Sequence, residues 1–131
     1  MRHAVLTLLA SALLACSATR SQSVEASLGE EATLAIGATA RWSPDLSVRF
    51  VAVTEDSRCP TDITCVWAGQ LKIQLAISVD GKTSTHALVE SEHAVIDAYR
   101  ITFVSGAPAA MAERKIAPGD YRVKVRAEGA N

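Results

Sequence analysis

The sequence predicts a small all-β domain, an antiparallel β-sandwich or partly open barrel of about seven short strands with one disulfide-closed loop. Three observations support this fold class. Apolar and polar residues alternate over several segments of strand length, turn residues separate these segments, and two cysteines lie six positions apart near the middle of the chain. The only segment with a helical pattern is 109–115, between Pro108 and Pro118.

The first element, residues 1–15, has the pattern of an export signal. Arg2 supplies a positive charge, and an apolar stretch follows from Ala4 to Leu14. This stretch is shorter than the ~20 apolar residues that span a bilayer. A short apolar core of this kind is typical of secretory signal peptides. We therefore expect the chain to be exported.

The end of this stretch, Leu13-Leu14-Ala15-Cys16, resembles the cleavage region of bacterial lipoprotein precursors. The resemblance implies that Cys16 becomes the first residue of the mature chain and carries a diacylglycerol and an acylated amine. Such an anchor is stable because more than one acyl chain inserts into the bilayer. Ser17 stands where Asp would retain the protein at the inner membrane, so the resemblance implies the outer membrane, with the domain facing the periplasm. The alternative is an ordinary cleaved signal that contains a cysteine.

The mature chain divides into a polar tether, 16–27, and a single domain, 28–131. The tether lacks hydrophobic periodicity, which is typical of a flexible linker. Without Arg2, twelve basic residues stand against fourteen acidic ones. A domain that binds nucleic acid is usually strongly basic, so we expect no nucleic-acid partner.

Seven segments of the domain have the alternation or the composition of β-strands. The clearest is 71–78, in which every second residue is a leucine or an isoleucine. The segment 46–53 also carries Val51 and Val53 on its second face, which predicts a central strand. The predicted strands are 32–36, 39–42, 46–53, 71–78, 83–89, 99–103 and 121–127.

The dipeptide Asp80-Gly81 predicts a hairpin between the fourth and fifth of these strands. A two-residue loop would pair Leu75 with His86 and place polar groups on the buried face. A three-residue loop with Gly81 in the left-handed conformation would pair Leu75 with Thr85 instead. Because a one-residue slip moves every side chain to the other face, we predict the three-residue loop, with His86 facing outward.

Cys59 and Cys65 enclose a loop of seven residues ahead of the fourth strand. An exported protein enters an oxidising compartment, where a disulfide is the default. In the chain-entropy treatment so short a loop contributes only about 2.4 kcal/mol. Pro60 stiffens the loop by fixing its own φ, and Trp67 is placed to cover the sulfurs.

The sequence around these cysteines, Arg58-Cys59-Pro60 and Cys65-Val66-Trp67-Ala68-Gly69, resembles a group of small bacterial secreted proteins and lipoproteins of uncharacterised activity. The close resemblance covers twelve residues, 58–69, and extends loosely to the flanking strands. It implies a compartment and an architecture but no chemistry.

Three interpretations of this loop remain open. In the first, the loop is a structural crosslink, with Arg58 paired to Asp56 or Asp62. Alternatively, it is a rigid recognition loop in which Arg58 binds an anion, with Pro60, Asp62 and Trp67 as the other candidate residues. The third interpretation is redox or metal chemistry, although the spacing differs from the C-x-x-C of such sites.

The remaining chemistry-bearing residues give weaker signals. His86 and His93 are the two histidines of the mature chain, and we expect both to be solvated surface residues rather than metal ligands. The sequence contains no nucleophile elbow and neither a P-loop nor a dinucleotide fingerprint. We therefore predict no catalytic residues, no metal and no cofactor.

One strand carries a basic stripe. Arg122, Lys124 and Arg126 share one face of the last predicted strand, and Arg100 and Lys72 join it if their strands are neighbours. This candidate basic face is either a solvated surface that protects a strand edge or a patch for an anionic partner such as lipid headgroups or an envelope polymer.

The sequence thus predicts a lipid-anchored cell-envelope protein that serves as a non-enzymatic binding or assembly accessory. Its expected partners are the membrane, through the N-terminal lipid, and an envelope protein or anionic polymer. The alternative is a small metal-binding or redox protein that uses Cys59 and Cys65 with His86 and His93. An envelope hydrolase would need a pocket in which polar groups converge.

Overall fold

The alternating segments form extended strands in residues 21–131, the part of the chain that the computed structural model describes. The predicted signal peptide, 1–15, and the predicted lipidation site, Cys16, lie outside the described residues. The strands in this part are β1 (Ser23–Glu25), β2 (Glu31–Leu34), β3 (Thr39–Ser43), β4 (Leu46–Asp56), β5 (Leu71–Val79), β6 (Lys82–Val89), β7 (His93–Ile96), β8 (Tyr99–Ala107) and β9 (Arg122–Gly129).

These strands form two sheets. One has the order β1-β3-β4-β5-β6, and the other has the order β2-β9-β8-β7. Neighbouring strands run antiparallel, except β1 and β3, which run parallel. The predicted all-β sandwich is confirmed, as is the central position of β4, and neither sheet closes into a barrel.

The core lies between the two sheets and, among the described residues, contains only apolar buried side chains. Every second residue of β5 from Leu71 to Val79 is buried, as the alternation predicts. The two largest fully buried side chains, Phe50 and Phe103, come from opposite sheets. Each sheet therefore contributes an aromatic ring to the same core.

Two strands, β1 and β7, were not predicted. Residues 23–25 belong to the segment predicted as a tether, but they form β1, in which Ser23 is aligned with Thr39 of β3. Strand β7 begins at His93, where the sequence indicates only a loop. Both strands are short, exposed edges, and their hydrogen bonds to a longer neighbour, rather than burial of their own side chains, keep them extended.

The segment 109–115 is not helical, so the helix considered for it is wrong. Met111 and Arg114 form an isolated β-bridge there, and the one helical element in residues 21–131 is a 3-10 turn at Pro118–Asp120. So short a helix would be marginal without packing, and hydrogen bonds to the neighbouring loop hold this segment instead. No helix in this part of the chain is long and apolar enough to cross a membrane.

The hairpin between β5 and β6 has a two-residue loop, so the predicted register is wrong. Leu75 lies opposite His86, and Asp80 and Gly81 have φ angles of 49° and 77°. Two successive positive φ angles are those of a type I′ turn, whose twist matches the strands. Polar residues are tolerated on this face because β6 is an edge strand whose first four residues are exposed. His86 consequently lies on the same face as Leu75, within 2.8 Å of the Ser84 hydroxyl.

Two long loops meet at one end of the sandwich. The cysteine loop, residues 57–70, joins β4 to β5, and the proline loop, residues 108–121, joins β8 to β9. The backbone N–H of Thr61 in the first loop donates to the carbonyl oxygen of Ala110 in the second, at 2.9 Å. We call this region the two-loop end.

Candidate binding surface

The base of the cysteine loop continues the β4–β5 hairpin. The backbone N–H of Ser57 donates to the carbonyl of Gln70, and that of Cys59 donates to the carbonyl of Ala68, both at 2.8 Å. Gly69 has a φ of 64°, and a Cβ at this position would overlap the carbonyl oxygen of Ser57. Only glycine fits such a close backbone approach without displacement.

The predicted disulfide between Cys59 and Cys65 is confirmed, with Cα atoms 5.9 Å apart. It closes the loop beyond the last hydrogen bond of the hairpin. The prediction that Trp67 covers the sulfurs is wrong, because its side chain is 67% exposed and Cys65 is itself exposed. The indole instead faces solvent beside the disulfide loop.

Asp62 and its neighbour Thr61 tie the cysteine loop to the proline loop. One carboxylate oxygen of Asp62 accepts a hydrogen bond from the backbone N–H of Ala112 at 2.9 Å. The hydroxyl of Thr61 lies 3.2 Å from the sulfur of Met111. These contacts act between segments fifty positions apart, so each loop limits the motion of the other.

Arg58 lies beneath the two loops and is paired with Asp56, as the structural interpretation predicts. Its Nε and Nη2 atoms donate to the two carboxylate oxygens of Asp56, both at 2.8 Å. The Tyr121 hydroxyl donates to the same carboxylate, also at 2.8 Å. The side chains of Arg58 and Asp56 are only 14% and 15% exposed. The guanidinium is therefore engaged within the protein rather than presented to an anion.

The electrostatics of this triad favour the charged pair. The hydrogen bond from Arg58 lowers the pKa of Asp56, and Tyr121 adds to that effect against the opposing desolvation. Burial, together with the hydrogen bond to Asp56, raises the pKa of Tyr121 to about 12. At neutral pH, a carboxylate thus accepts hydrogen bonds from a guanidinium and from a protonated phenol, which is a stabilising arrangement.

A shallow cavity of about 320 Å³ lies between the Arg58–Asp56 pair and the proline loop. Pro60, one of the candidate recognition residues, forms part of the cavity wall together with Met111 and Ile116. Arg58 and Tyr121 also line this cavity. The two loops therefore enclose a small groove, lined also by Arg114 and Lys115, at whose base Arg58, Asp56 and Tyr121 are paired with one another.

Exposed apolar side chains are concentrated at the two-loop end. Val66 is fully exposed, and Ile63 is 50% and Met111 40% exposed, beside the exposed Trp67. We call these four residues the apolar tip. Among the described residues, the other large exposed apolar side chains are Leu28 and Val95, which lie elsewhere.

Sequence reasoning identified Trp67 as a recognition residue but missed the other three members of the tip. The available signal was the pair Val66-Trp67, which follows the second cysteine outside any alternating segment. Apolar residues next to a disulfide are equally consistent with burial, so the pattern alone could not distinguish a tip from a small core.

The predicted basic face exists but is partly neutralised. Arg100 lies opposite Glu128, and Arg126 lies opposite Glu31, on one face of the four-stranded sheet. Nε of Arg126 is 2.7 Å from Glu128, and Nη1 is 3.7 Å from Glu31. Acidic side chains thus alternate with basic ones across this part of the sheet.

The other basic residues are divided between local contacts and a second sheet. Arg122 donates to the carbonyls of Gly119 and Tyr121 at 2.8 Å, and Lys124 is exposed. Lys72 belongs to the five-stranded sheet, where it lies 3.9 Å from Glu55. It therefore does not join the basic face.

The residues of the metal or redox alternative are not brought together. His86 lies on β6 of one sheet and His93 on β7 of the other, while Cys59 and Cys65 are joined to each other. Within residues 21–131, no group of three or more His, Cys, Asp or Glu side chains has an arrangement that could hold a metal ion.

The structure thus gathers Arg58, Pro60, Asp62 and Trp67 at the two-loop end and leaves the basic face on the four-stranded sheet. Comparison of the chain with protein-family models, with curated proteins and with solved structures found no match.

Proposed function

We propose that the protein is a lipid-anchored accessory of the cell envelope that acts by binding rather than by catalysis, through its two-loop end. The observation that supports this most strongly is the apolar tip. Val66, Trp67 and Ile63 expose large apolar surfaces on a single loop. Exposed apolar groups gathered on one loop commonly mark interaction sites, because leaving them in water is unfavourable.

The rigidity of this end supports the same proposal. The disulfide closes the cysteine loop, Asp62 binds the backbone of the proline loop, and the Arg58–Asp56 pair holds the base. A loop that is already ordered loses less conformational entropy on binding than a flexible one. The apolar side chains are therefore presented on a preorganised scaffold.

The anchor is the part of the proposal that follows from the sequence. Residues 1–15 have the pattern of an export signal, and Cys16 lies where lipoprotein precursors are cleaved and acylated. Ser17 favours the outer membrane, with the domain in the periplasm. In this arrangement an accessory protein works on partners at the membrane surface.

The anchor is tested by intact-mass measurement and membrane fractionation. We expect the protein to begin at Cys16, to carry acyl chains and to stay with membranes during a high-salt wash, whereas Cys16→Ala releases the protein from the membranes or leaves it unprocessed. An unacylated wild-type protein that washes off would contradict the anchor.

The binding surface is tested by a photo-crosslinking amino acid introduced at Val66, with a matched control at Thr83. Both positions are exposed, but Thr83 lies on β6 away from the two-loop end. We expect crosslinks to envelope components from Val66 and few from Thr83. Equal yields at the two positions would contradict the assignment of the surface.

A further inference from the structure

We infer that the apolar tip inserts into the lipid–water interface of the same bilayer that holds the anchor, so the protein binds that membrane at two points. The inference rests on the proposed function and names the ligand of that surface as phospholipid. It follows from the position at which the chain enters the sandwich, from the length of the segment before that point and from the chemistry of the tip.

Strand β1 starts on the side of the two-loop end and runs away from it. Strand β1 runs parallel to β3, and the backbone N–H of Thr39 donates to the carbonyl of Gln22. Ala38, which precedes Thr39, bonds to Phe50 of β4, and β4 continues from Phe50 towards the cysteine loop. The start of β1 therefore faces the same end of the sandwich as that loop, and the C-terminal end of β9 points away from it.

The segment between the anchor and the sandwich is too short to hold the tip away from the membrane. Five residues, 17–21, lie between Cys16 and Gln22, and the six Cα–Cα steps span at most about 20 Å when fully extended. From the level of Gln22, β4 advances about 13 Å to Asp56, because Phe50 and Asp56 are aligned with Leu75 and Leu71, four steps apart on β5. The Ser57–Gln70 and Cys59–Ala68 hydrogen bonds carry the hairpin further in the same direction. The cysteine loop extends beyond that, so acyl chains on Cys16 bring the two-loop end to the bilayer surface.

The composition of the tip fits a bilayer interface. Trp67 has the amphipathic ring that is enriched at membrane–water boundaries, and Val66 and Ile63 add apolar surface beside it. Arg114 and Lys115 are exposed on the adjoining proline loop, where they can reach anionic headgroups. The exposed carboxylate of Glu113 offsets one of these charges, so we expect apolar insertion to dominate and the salt dependence to be weak.

A protein ligand for the tip is the competing occupant. It would have to enter between the tip and the membrane, or the sandwich would have to lie on its side, with the two-loop end turned away from the bilayer. The short segment before Gln22 disfavours the first arrangement. The second would direct the exposed Trp67, Arg114 and Lys115 away from the interface that their chemistry suits. The structure therefore favours phospholipid, and a protein ligand at the tip would contradict the inference.

Tryptophan fluorescence of the purified full-length mature protein tests this inference. The chain has two tryptophans. Trp42 is in the core at 5% exposure, whereas Trp67 is mostly exposed. In vesicles of phosphatidylethanolamine and phosphatidylglycerol, we expect Trp67 emission to shift to shorter wavelength, and brominated acyl chains to quench it. Trp67→Phe should abolish both effects because only Trp42 remains.

A matched pair of variants separates insertion of the tip from attachment through the anchor. Ile63→Ser combined with Val66→Ser keeps Trp67 as the reporter and removes apolar surface from the tip. Leu28→Ser, at an exposed position beyond the far end of β1, is the control. We expect quenching of Trp67 to fall in the double variant and to be unchanged in Leu28→Ser.

Several outcomes would overturn the inference. The inference is wrong if brominated lipids fail to quench Trp67 emission in membrane-bound protein. It is also wrong if the folded double variant is quenched as strongly as the wild type. Crosslinks from Val66 to a protein rather than to lipid also overturn it, while leaving the proposed function intact. If Cys16 proves unacylated, the proposed function fails, and quenching of Trp67 in the same protein mixed with the vesicles still decides whether the tip binds lipid.

Discussion

The carboxylate of Asp56 lies at the last position of β4, where the sandwich gives way to the two-loop end. It accepts two hydrogen bonds from Arg58 and one from Tyr121. These three residues come from β4, the cysteine loop and the proline loop. Hydrogen bonds to a charged group are each worth about 1.5–3 kcal/mol, so this triad fixes the base of both loops.

Asp56→Asn tests the triad at low pH. The pKa of Asp56 is lowered in the folded protein by Arg58. Its contribution to the free energy of unfolding is therefore present above the ordinary carboxyl pKa of 3.8 and is lost as the pH falls below it. We expect the variant to be less stable by about 1–3 kcal/mol at pH 7, and the difference to shrink in acid.

Denaturant unfolding at several pH values measures this difference, and Asp120→Asn, at an exposed carboxylate, serves as the control. A difference between Asp56→Asn and wild type that stays constant down to strongly acidic pH would contradict the role of the ionised carboxylate.

Tyr121→Phe tests the same triad at high pH. Burial raises the pKa of Tyr121 to about 12 from 10.0. The folded state therefore keeps a proton that the unfolded state has lost, and stability falls as the pH rises from 10 towards 12. Ultraviolet titration of phenolate should show a late-titrating tyrosine in the wild type that is missing from the variant. Identical titration curves per tyrosine would refute the contact.

At the scale of elements, the cysteine loop is an extension of the β4–β5 hairpin that replaces strand pairing with a disulfide and contacts to the proline loop. Alternation of apolar residues was sufficient to predict β4, β5, β8 and β9, because each has one buried face. It could not predict β1 and β7, which are exposed edges, or the register at Leu75 and His86, where the edge of the sandwich leaves one face of β6 uncovered.

The site was predictable to a similar degree. The cysteine spacing and the likeness around Arg58 and Trp67 located the loop and its disulfide. The tip itself was not predictable, since whether Val66, Ile63 and Met111 face water depends on how two loops fifty residues apart pack together.

Gly69→Ala tests the close approach at the base of the cysteine loop. The added Cβ would overlap the carbonyl of Ser57, at a φ of 64° that disfavours any other residue. We expect a loss of about 2 kcal/mol or more in the free energy of unfolding. Gly119→Ala, where a Cβ meets nothing within 4 Å, should change little. Equal effects from the two substitutions would show that the approach is unimportant.

Removal of the disulfide by Cys59→Ala with Cys65→Ala tests its contribution to stability. The loop is short, so we expect a loss of only about 2 kcal/mol, with the strand content retained because both sheets lie outside the loop. Circular dichroism and denaturant unfolding measure the two quantities. Two free thiols in the non-reduced wild-type protein would contradict the disulfide.

At the scale of the whole molecule, the first strand starts on the side of the two-loop end and the last strand ends away from it. Strand β1 begins at the level of Phe50 and runs away from the two-loop end, while Gly129 pairs with Tyr99 at the far end of β8. The basic residues Arg100 and Lys124 lie on a sheet face between these ends. The molecule would therefore have one orientation on a membrane that it binds through the tip and a different orientation on a membrane that it binds through this face.

Paramagnetic relaxation from nitroxide-labelled lipid headgroups, measured on backbone amides of the lipidated protein in nanodiscs, tests the central claim most directly. We predict that broadening is strongest at residues 63–67 and 111–115 and weak at the Asp80-Gly81 turn. Broadening centred on Arg100 and Lys124, or any broadening that spares the two-loop end, would contradict the claim that this end faces the bilayer.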